Sequence, residues 1–234
     1  SGVQMPEAFA GVGDLFTGAQ ITLGHVTLGN TMAEIYKSKC CLIWFCNPAV
    51  TRIPDAHFFW EAKYNGTEVI SISPDFNASA MHASKWLNPK PGSDIALAMA
   101  MVHTVLEDRS FDTEYIKEQS DLPFLVRTDN LKYLRETDFA IPEARDNLFY
   151  VWDETSNALV EAPGTGTPPA PPGTPEHLIQ LPSIELGAVN PAIEGEWIVE
   201  TKDGPVKVTT IFELTKKRAA QHTPERVLNN VITD

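Results

Sequence analysis

At 234 residues the chain has room for one to two domains of about 150 residues and for a hydrophobic core that needs no disulfide or metal staple. Hydrophobic residues at 43% and charged residues at 21% exclude wholesale disorder. Eighteen Lys and Arg against 31 Asp and Glu leave a net charge of −13, which argues against a nucleic-acid partner but not against a small anion held by a few local donors.

No apolar run approaches the roughly 18 residues a membrane helix needs, so direct membrane insertion is not expected. The opening Ser1-Gly2-Val3-Gln4 has neither a basic nor an apolar leader region and reads as a remnant of tag cleavage. Three textures follow along the chain. Residues 1–142 are dense in periodic apolar segments, 143–175 hold a hairpin and a mobile Pro/Gly-rich tract, and 176–234 hold a hairpin and two helices expected to pack on the same domain.

Residues 31–38 read as a short helix. The continuous apolar run 40–46 (CCLIWFC) reads as a strand covered on both faces, as in a parallel sheet, and Asn47-Pro48 ends it. Pro54 suits a first helical turn, and the helix it opens closes at Asn65-Gly66. A second, β-branched strand occupies 67–73, which completes a βαβ unit. Asp94 is the expected N-cap of a helix over 95–107, and Asp112 that of another reaching 119. Hairpins are expected at 149–160 and at 196–210, the latter turning on Asp203-Gly204 in a type I′ turn. Two helices, 212–221 and 223–231, complete the chain, with Thr223 capping the second. The predicted fold class is α/β: a doubly wound, Rossmann-like parallel sheet with flanking helices, and a small hairpin and helix extension at the C-terminus.

Ligands of open parallel sheets bind outside the carboxyl ends of the strands. Three segments qualify: Cys46-Asn47-Pro48 with Thr51-Arg52, Ser73-Pro74-Asp75-Phe76-Asn77, and Gly92-Ser93-Asp94. Their chemistry suits a nucleotide. A carboxylate after the second strand can accept from ribose hydroxyls, an Arg beside a helix start can meet phosphates, and a second carboxylate can accept from the adjacent N–H and NH₂ groups of guanine. The plainer alternatives remain open: Asp94 as a helix cap, Asp75 as a turn residue, Cys46 as a small hydrophobe. The six histidines never pair at helical ligand spacing, and the three cysteines form no CxxC, so no metal site and no self-sufficient catalytic centre is predicted.

The run Trp44-Phe45-Cys46-Asn47-Pro48 through TRIPDAHF (51–58), followed by SPDFNASAMHASKW (73–86) and Pro91-Gly92-Ser93-Asp94, resembles the dimethyl sulfoxide reductase superfamily of molybdopterin oxidoreductases. Its likeness is to the branch of nitrate reductase catalytic subunits, with selenate, chlorate and perchlorate reductases and ethylbenzene and dimethyl sulfide dehydrogenases. The likeness is dense over 40–108 and looser elsewhere, including 18–24, 122–127, 150–153 and 223–225. It implies a bis(molybdopterin guanine dinucleotide) cofactor, expected to be absent from the isolated chain. It places Asn47 by the pterin and phosphate part, Thr51 and Arg52 near phosphates, Asp75 at the guanosine, and Asp94 on the guanine. Two departures stand out: Phe45 where the family often has glycine, and Ser93 for threonine.

The family's cysteine cluster for an iron–sulfur centre, its aspartate ligand to molybdenum and its C-terminal barrel are not seen. The resemblance therefore implies an excised cofactor-binding domain, inactive alone. The expected partners are the rest of the catalytic subunit and an iron–sulfur electron-transfer subunit. The parent would be bacterial or archaeal, periplasmic or membrane-associated. Two other readings are a non-catalytic assembly module and a nicotinamide or flavin domain, the last disfavoured by the missing GxGxxG.

Overall fold

A computed structural model describes residues 31–166 and 185–231. The loosely matching 18–24 segment, the Pro/Gly-rich tract beyond residue 166 and the last three residues lie outside the described residues. Of the described residues, 31–91 belong to one compact unit and 92–231 to a second.

In the first unit a 3₁₀ helix, Met32–Lys37, stands where the sequence predicts a short helix. Strand β1 (Cys40–Trp44) leads into a four-residue helix α1 (Pro48–Thr51) and then α2 (Ile53–Tyr64). Pro54 sits in the first turn of α2, where its missing N–H has no partner to lose. The helix stops where Asn65 N–H donates back to Glu61 and Ala62, and Gly66 turns the chain at φ +99°, a conformation that costs glycine nothing. Strand β2 (Glu68–Ile72), helix α3 (Ala78–His82) and strand β3 (Lys85–Leu87) follow.

All three strands are parallel, in the order β1-β2-β3, with Ile43 opposite Ser71 and Ser71 opposite Trp86. A parallel sheet with flanking helices is the α/β arrangement expected, but its strand order follows the sequence without the reversal of a doubly wound sheet. Nor is β1 covered on both faces: Ile43 is its one buried residue, and Leu42 is 39% exposed. Cover on both faces falls instead on the middle strand, where Val69 and Ile72 point to opposite faces and are both fully buried.

The second unit begins with α4 (Asp94–Glu107) and α5 (Thr113–Gln119). Asp112 caps α5 as expected, accepting from Tyr115 N–H at 3.1 Å. Strand β4 (Leu125–Arg127) joins a later antiparallel pair, β7 (Glu196–Thr201) and β8 (Gly204–Thr210), in the order β4-β8-β7. Strands β5 (Tyr150–Asp153) and β6 (Ala158–Glu161) form a separate hairpin. Helices α6 (Ile211–Ala219) and α7 (Pro224–Val231) follow, capped by the hydroxyls of Thr210 and Thr223. Leu125, Leu134, Leu148, Tyr150, Val199 and Val208 make the core between these strands.

The β7–β8 turn differs from the type I′ turn read from Asp203-Gly204. Thr201 pairs with Gly204, so the loop residues are Lys202 and Asp203, and neither has positive φ. Gly204 alone supplies it, at φ +108°, which is the pattern of an ordinary turn followed by one glycine bulge. At the β5–β6 end, the Asp153 carboxylate accepts from Thr155 N–H, Ser156 N–H, the Ser156 hydroxyl and the distant Asn190 N–H. Those four donors, led by the Ser156 hydroxyl, hold its pKa far below the usual carboxylate range.

Candidate functional site

The loops after β1 and β2 are built from local rules that leave little slack. After Trp44 the chain makes one last bond to its neighbour, Phe45 N–H to Ile72 O at 2.9 Å, and then turns sharply at Phe45, φ +52°. Glycine reaches that left-handed region without penalty, and a phenylalanine must be held there. Asn47 then starts α1, its main-chain carbonyl accepting from Val50 N–H, Thr51 N–H and the Thr51 hydroxyl. Pro48, the first helical residue, is buried.

After β2, Ser73 is buried and fully engaged. Its N–H donates to Leu87 O, its hydroxyl donates to Asp75 O at 2.8 Å, and its carbonyl and hydroxyl both accept from the Trp86 indole. Asn77 caps α3, its side-chain oxygen accepting from Ser79 and Ala80 N–H, both at 3.0 Å. Ser79 joins the two loops. Its hydroxyl donates to Asn47 Oδ1 at 2.7 Å and accepts from Ala49 N–H at 3.1 Å, while its own N–H reaches Asn47 Oδ1 at 3.2 Å.

Between the loops lies a cleft of about 210 Å³, lined by Phe45, Cys46 and Asn47 from the first and by Ser73, Pro74, Asp75 and Asn77 from the second. The structure thus brings together six of the residues in the loops expected from sequence and adds Phe45. Asp75 is exposed, and its carboxylate makes no hydrogen bond among the described residues. The Cys46 thiol is pushed up by desolvation, against an opposing pull from the Arg52 guanidinium.

The remaining expected residues lie elsewhere. Thr51 and Arg52 stand at the α1–α2 junction and do not line the cleft; the Arg52 side chain is 75% exposed, 3.7 Å from the Asp55 carboxylate. Phe76 is 59% exposed and packs edge-on against Trp86, with ring centroids 5.1 Å apart. Gly92, Ser93 and Asp94 open α4 in the second unit. Gly92 turns at φ +82°, Ser93 takes the cap position without a side-chain cap bond, and Asp94 is the first helical residue rather than the cap. There its charge still complements the positive end of the helix dipole. The sequence reading missed Ser79. Asn77-Ala78-Ser79 after a strand signals a capped helix, but a hydrogen bond to a residue 32 positions away leaves no mark in local spacing.

Among the described residues no group of His, Cys, Asp or Glu gathers as metal ligands do, and no helix is long and apolar enough to cross a membrane. The family model of molybdopterin oxidoreductases matches residues 10–232. The chain belongs to the molybdopterin oxidoreductase family.

Its relatives in that family include the chlorate reductase alpha subunit of Ideonella dechloratans, 40% identical over 224 residues, covering 96% of this chain and 23% of that protein. The perchlorate reductase alpha subunit of Dechloromonas aromatica is also 40% identical, covering 92% of this chain and 24% of its own length. The respiratory nitrate reductase alpha subunit of Haloferax mediterranei is 34% identical over 219 residues, covering 92% and 21%. The chain therefore spans about a quarter of the length of the curated relatives it matches. Membership in a molybdopterin oxidoreductase family implies a molybdenum–pterin cofactor.

Proposed function

We propose that this chain forms the part of a molybdenum oxidoreductase catalytic subunit that holds a guanine dinucleotide arm of a bis(molybdopterin guanine dinucleotide) cofactor. The observation that carries the reading is the cleft at the carboxyl ends of β1 and β2. Its other polar side chains, Asn47, Ser73 and Asn77, are spent on holding the two loops, and Asp75 alone keeps an uncommitted carboxylate facing solvent. At about 210 Å³ the cleft is smaller than the roughly 300 Å³ at which small-molecule pockets begin, so it fits a sugar or phosphate portion, not a whole dinucleotide.

The chain's own share is binding and orientation. Asp75 accepts hydrogen bonds from the guanosine, including the adjacent N–H and NH₂ groups that guanine carries and adenine lacks, and Arg52 neutralises phosphate charge. When bound, the molybdenum–pterin group supplies the two-electron chemistry, oxygen-atom transfer or hydroxylation. The partners in this reading are the remainder of the catalytic subunit and an iron–sulfur electron-transfer subunit, and the chain alone is inactive as a reductase.

Calorimetric titration with GMP, GDP and AMP tests the reading. Guanine nucleotides are expected to bind in preference to AMP, and Asp75→Asn is expected to weaken binding about tenfold, the loss of one charge-assisted hydrogen bond. Equal binding of AMP and GMP, or no binding of either, refutes it and leaves an assembly role. Reduction of nitrate or selenate by the chain alone, with an artificial electron donor, refutes the inactivity.

A further inference from the structure

The second unit carries a cavity of about 520 Å³, within the size range of small-molecule sites. It is formed where the chain reverses after β4. Leu131 N–H donates to Arg127 O at 3.0 Å, with Leu131 at φ +57°, and the 3₁₀ turn Glu136–Asp138 contributes Thr137 and Asp138 to the wall. Counting donors and acceptors on its walls gives a lopsided result.

The carboxylate and amide oxygens on its walls each hold a donor. Asp138 receives the buried Arg127 guanidinium on Oδ1 at 2.6 Å and Arg135 N–H on Oδ2 at 2.9 Å. Asn130 Oδ1 takes Lys132 N–H, Lys132 O takes Arg127 N–H, and Thr137 O takes the Lys202 ammonium. The Tyr133 hydroxyl donates to Asp121 at 2.7 Å; burial and that bond push its pKa up to about 12, so it stays protonated and committed. What remains is donors. The Lys132 ammonium, the Arg135 guanidinium and the Asn130 NH₂ have no hydrogen-bond or ion-pair partner among the described residues. Arg135 is also pre-oriented, its guanidinium carbon 5.3 Å from the centre of the Phe149 ring, which steadies the planar group and leaves its N–H edge available. In a chain of net charge −13, two uncommitted cations and an amide donor share one cavity.

We propose that this cavity is a binding site for a small ligand carrying an oxyanion, a carboxylate or a phosphate, gripped by Arg135 and Lys132. The guanidinium presents paired N–H groups to two oxygens, Lys132 supplies a second positive charge, and the exposed Leu131 side chain gives the ligand's body an apolar wall.

The test is a titration of the 234-residue chain with inorganic pyrophosphate and, separately, with citrate, followed by backbone amide NMR shifts. At least one probe is expected to saturate with shifts centred on residues 130–138. Arg135→Gln is expected to weaken that binding by about tenfold or more, the loss of a charged two-point contact, and Lys132→Gln to weaken it to a smaller degree. Asp75→Asn is expected to leave it unchanged, which separates this site from the cleft in the first unit. Saturation by pyrophosphate alone assigns a phosphate ligand, and saturation by citrate alone a carboxylate. Should Arg135→Gln not fold, Lys132→Gln, an exposed substitution, carries the test. Failure of both probes to saturate, or binding indifferent to both substitutions, overturns the proposal.

Discussion

Replacing Ser79 by alanine removes one oxygen atom and with it two of the three hydrogen bonds by which this residue ties the two loops of the candidate site. Ser79 is fully buried, and its hydroxyl makes two contacts, donating to Asn47 Oδ1 at 2.7 Å and accepting from Ala49 N–H at 3.1 Å. Losing the first costs about 1 kcal/mol, the net worth of a neutral hydrogen bond. Losing the second strands the half-buried Ala49 N–H, about 1 kcal/mol more at the low end of the range for an unsatisfied group. Asn47 Oδ1 keeps the Ser79 N–H, and no methylene is removed, so no cavity cost is added. The sum, about 2 kcal/mol, corresponds to about a 30-fold rise in the opening equilibrium of the loops. Native-state amide exchange reads it directly, with Ala49 and its neighbours in α1 expected to exchange faster by that factor. Ser84→Ala is the control. That exposed hydroxyl accepts only at 3.4 Å, from Val69 N–H, and its removal is expected to leave the α1 amides unchanged. Exchange at Ala49 within twofold of the parent chain would refute the claim that Ser79 holds the loops together.

Gly195 has φ +141°, and a Cβ there would meet the Trp197 ring at 2.5 Å while that ring is stacked on Trp152; Gly195→Ala is expected to cost about 2–3 kcal/mol, read as a lowered urea midpoint with altered near-ultraviolet tryptophan dichroism. Leu134→Ala, in the fully buried core of the second unit, is expected to cost about 3 kcal/mol, and a loss below about 1 kcal/mol in the same urea titration would contradict the packing described. The Arg145 guanidinium and N–H hold Glu136 down to about 2, below its ordinary 4.5. A depressed carboxylate stabilises the fold fully above its ordinary pKa, so this contribution is expected to fade as pH falls from about 4.5 and to be gone below about 2. Glu136→Gln should flatten the fall of Tm across that window, and an identical fall in both proteins would remove Glu136 from the account.

Signals confined to a few adjacent residues were legible in the sequence. Pro54, Asn65-Gly66, Asp112 and Thr223-Pro224 each mark a helix end that the structure reproduces, because each acts through its own backbone within one turn. The two loops after β1 and β2 were legible for the same reason: apolar runs that stop at Asn47-Pro48 and Ser73-Pro74 locate strand ends. Lys85–Leu87 was not, since three residues are too few to show a strand period, and its place comes from pairing with β2. The β7–β8 turn slipped by one residue because Asp-Gly serves both as a turn centre and as a turn with its trailing bulge; cross-strand register decides between them. Side-chain burial on β1 and the Ser79 tie depend on residues distant in sequence, which no local pattern reports.

The Asp153 cluster bears on what the polypeptide tolerates. Glu154 N–H to Asn190 O, Ala192 N–H to Trp152 O and Asn190 N–H to the Asp153 carboxylate fasten the end of β5 to the segment around Asn190. Three hydrogen bonds join residues 152–154 to residues 190–192. Removing the Asp153 carboxylate should therefore loosen a junction between segments 37 residues apart, beyond its effect on the local turn.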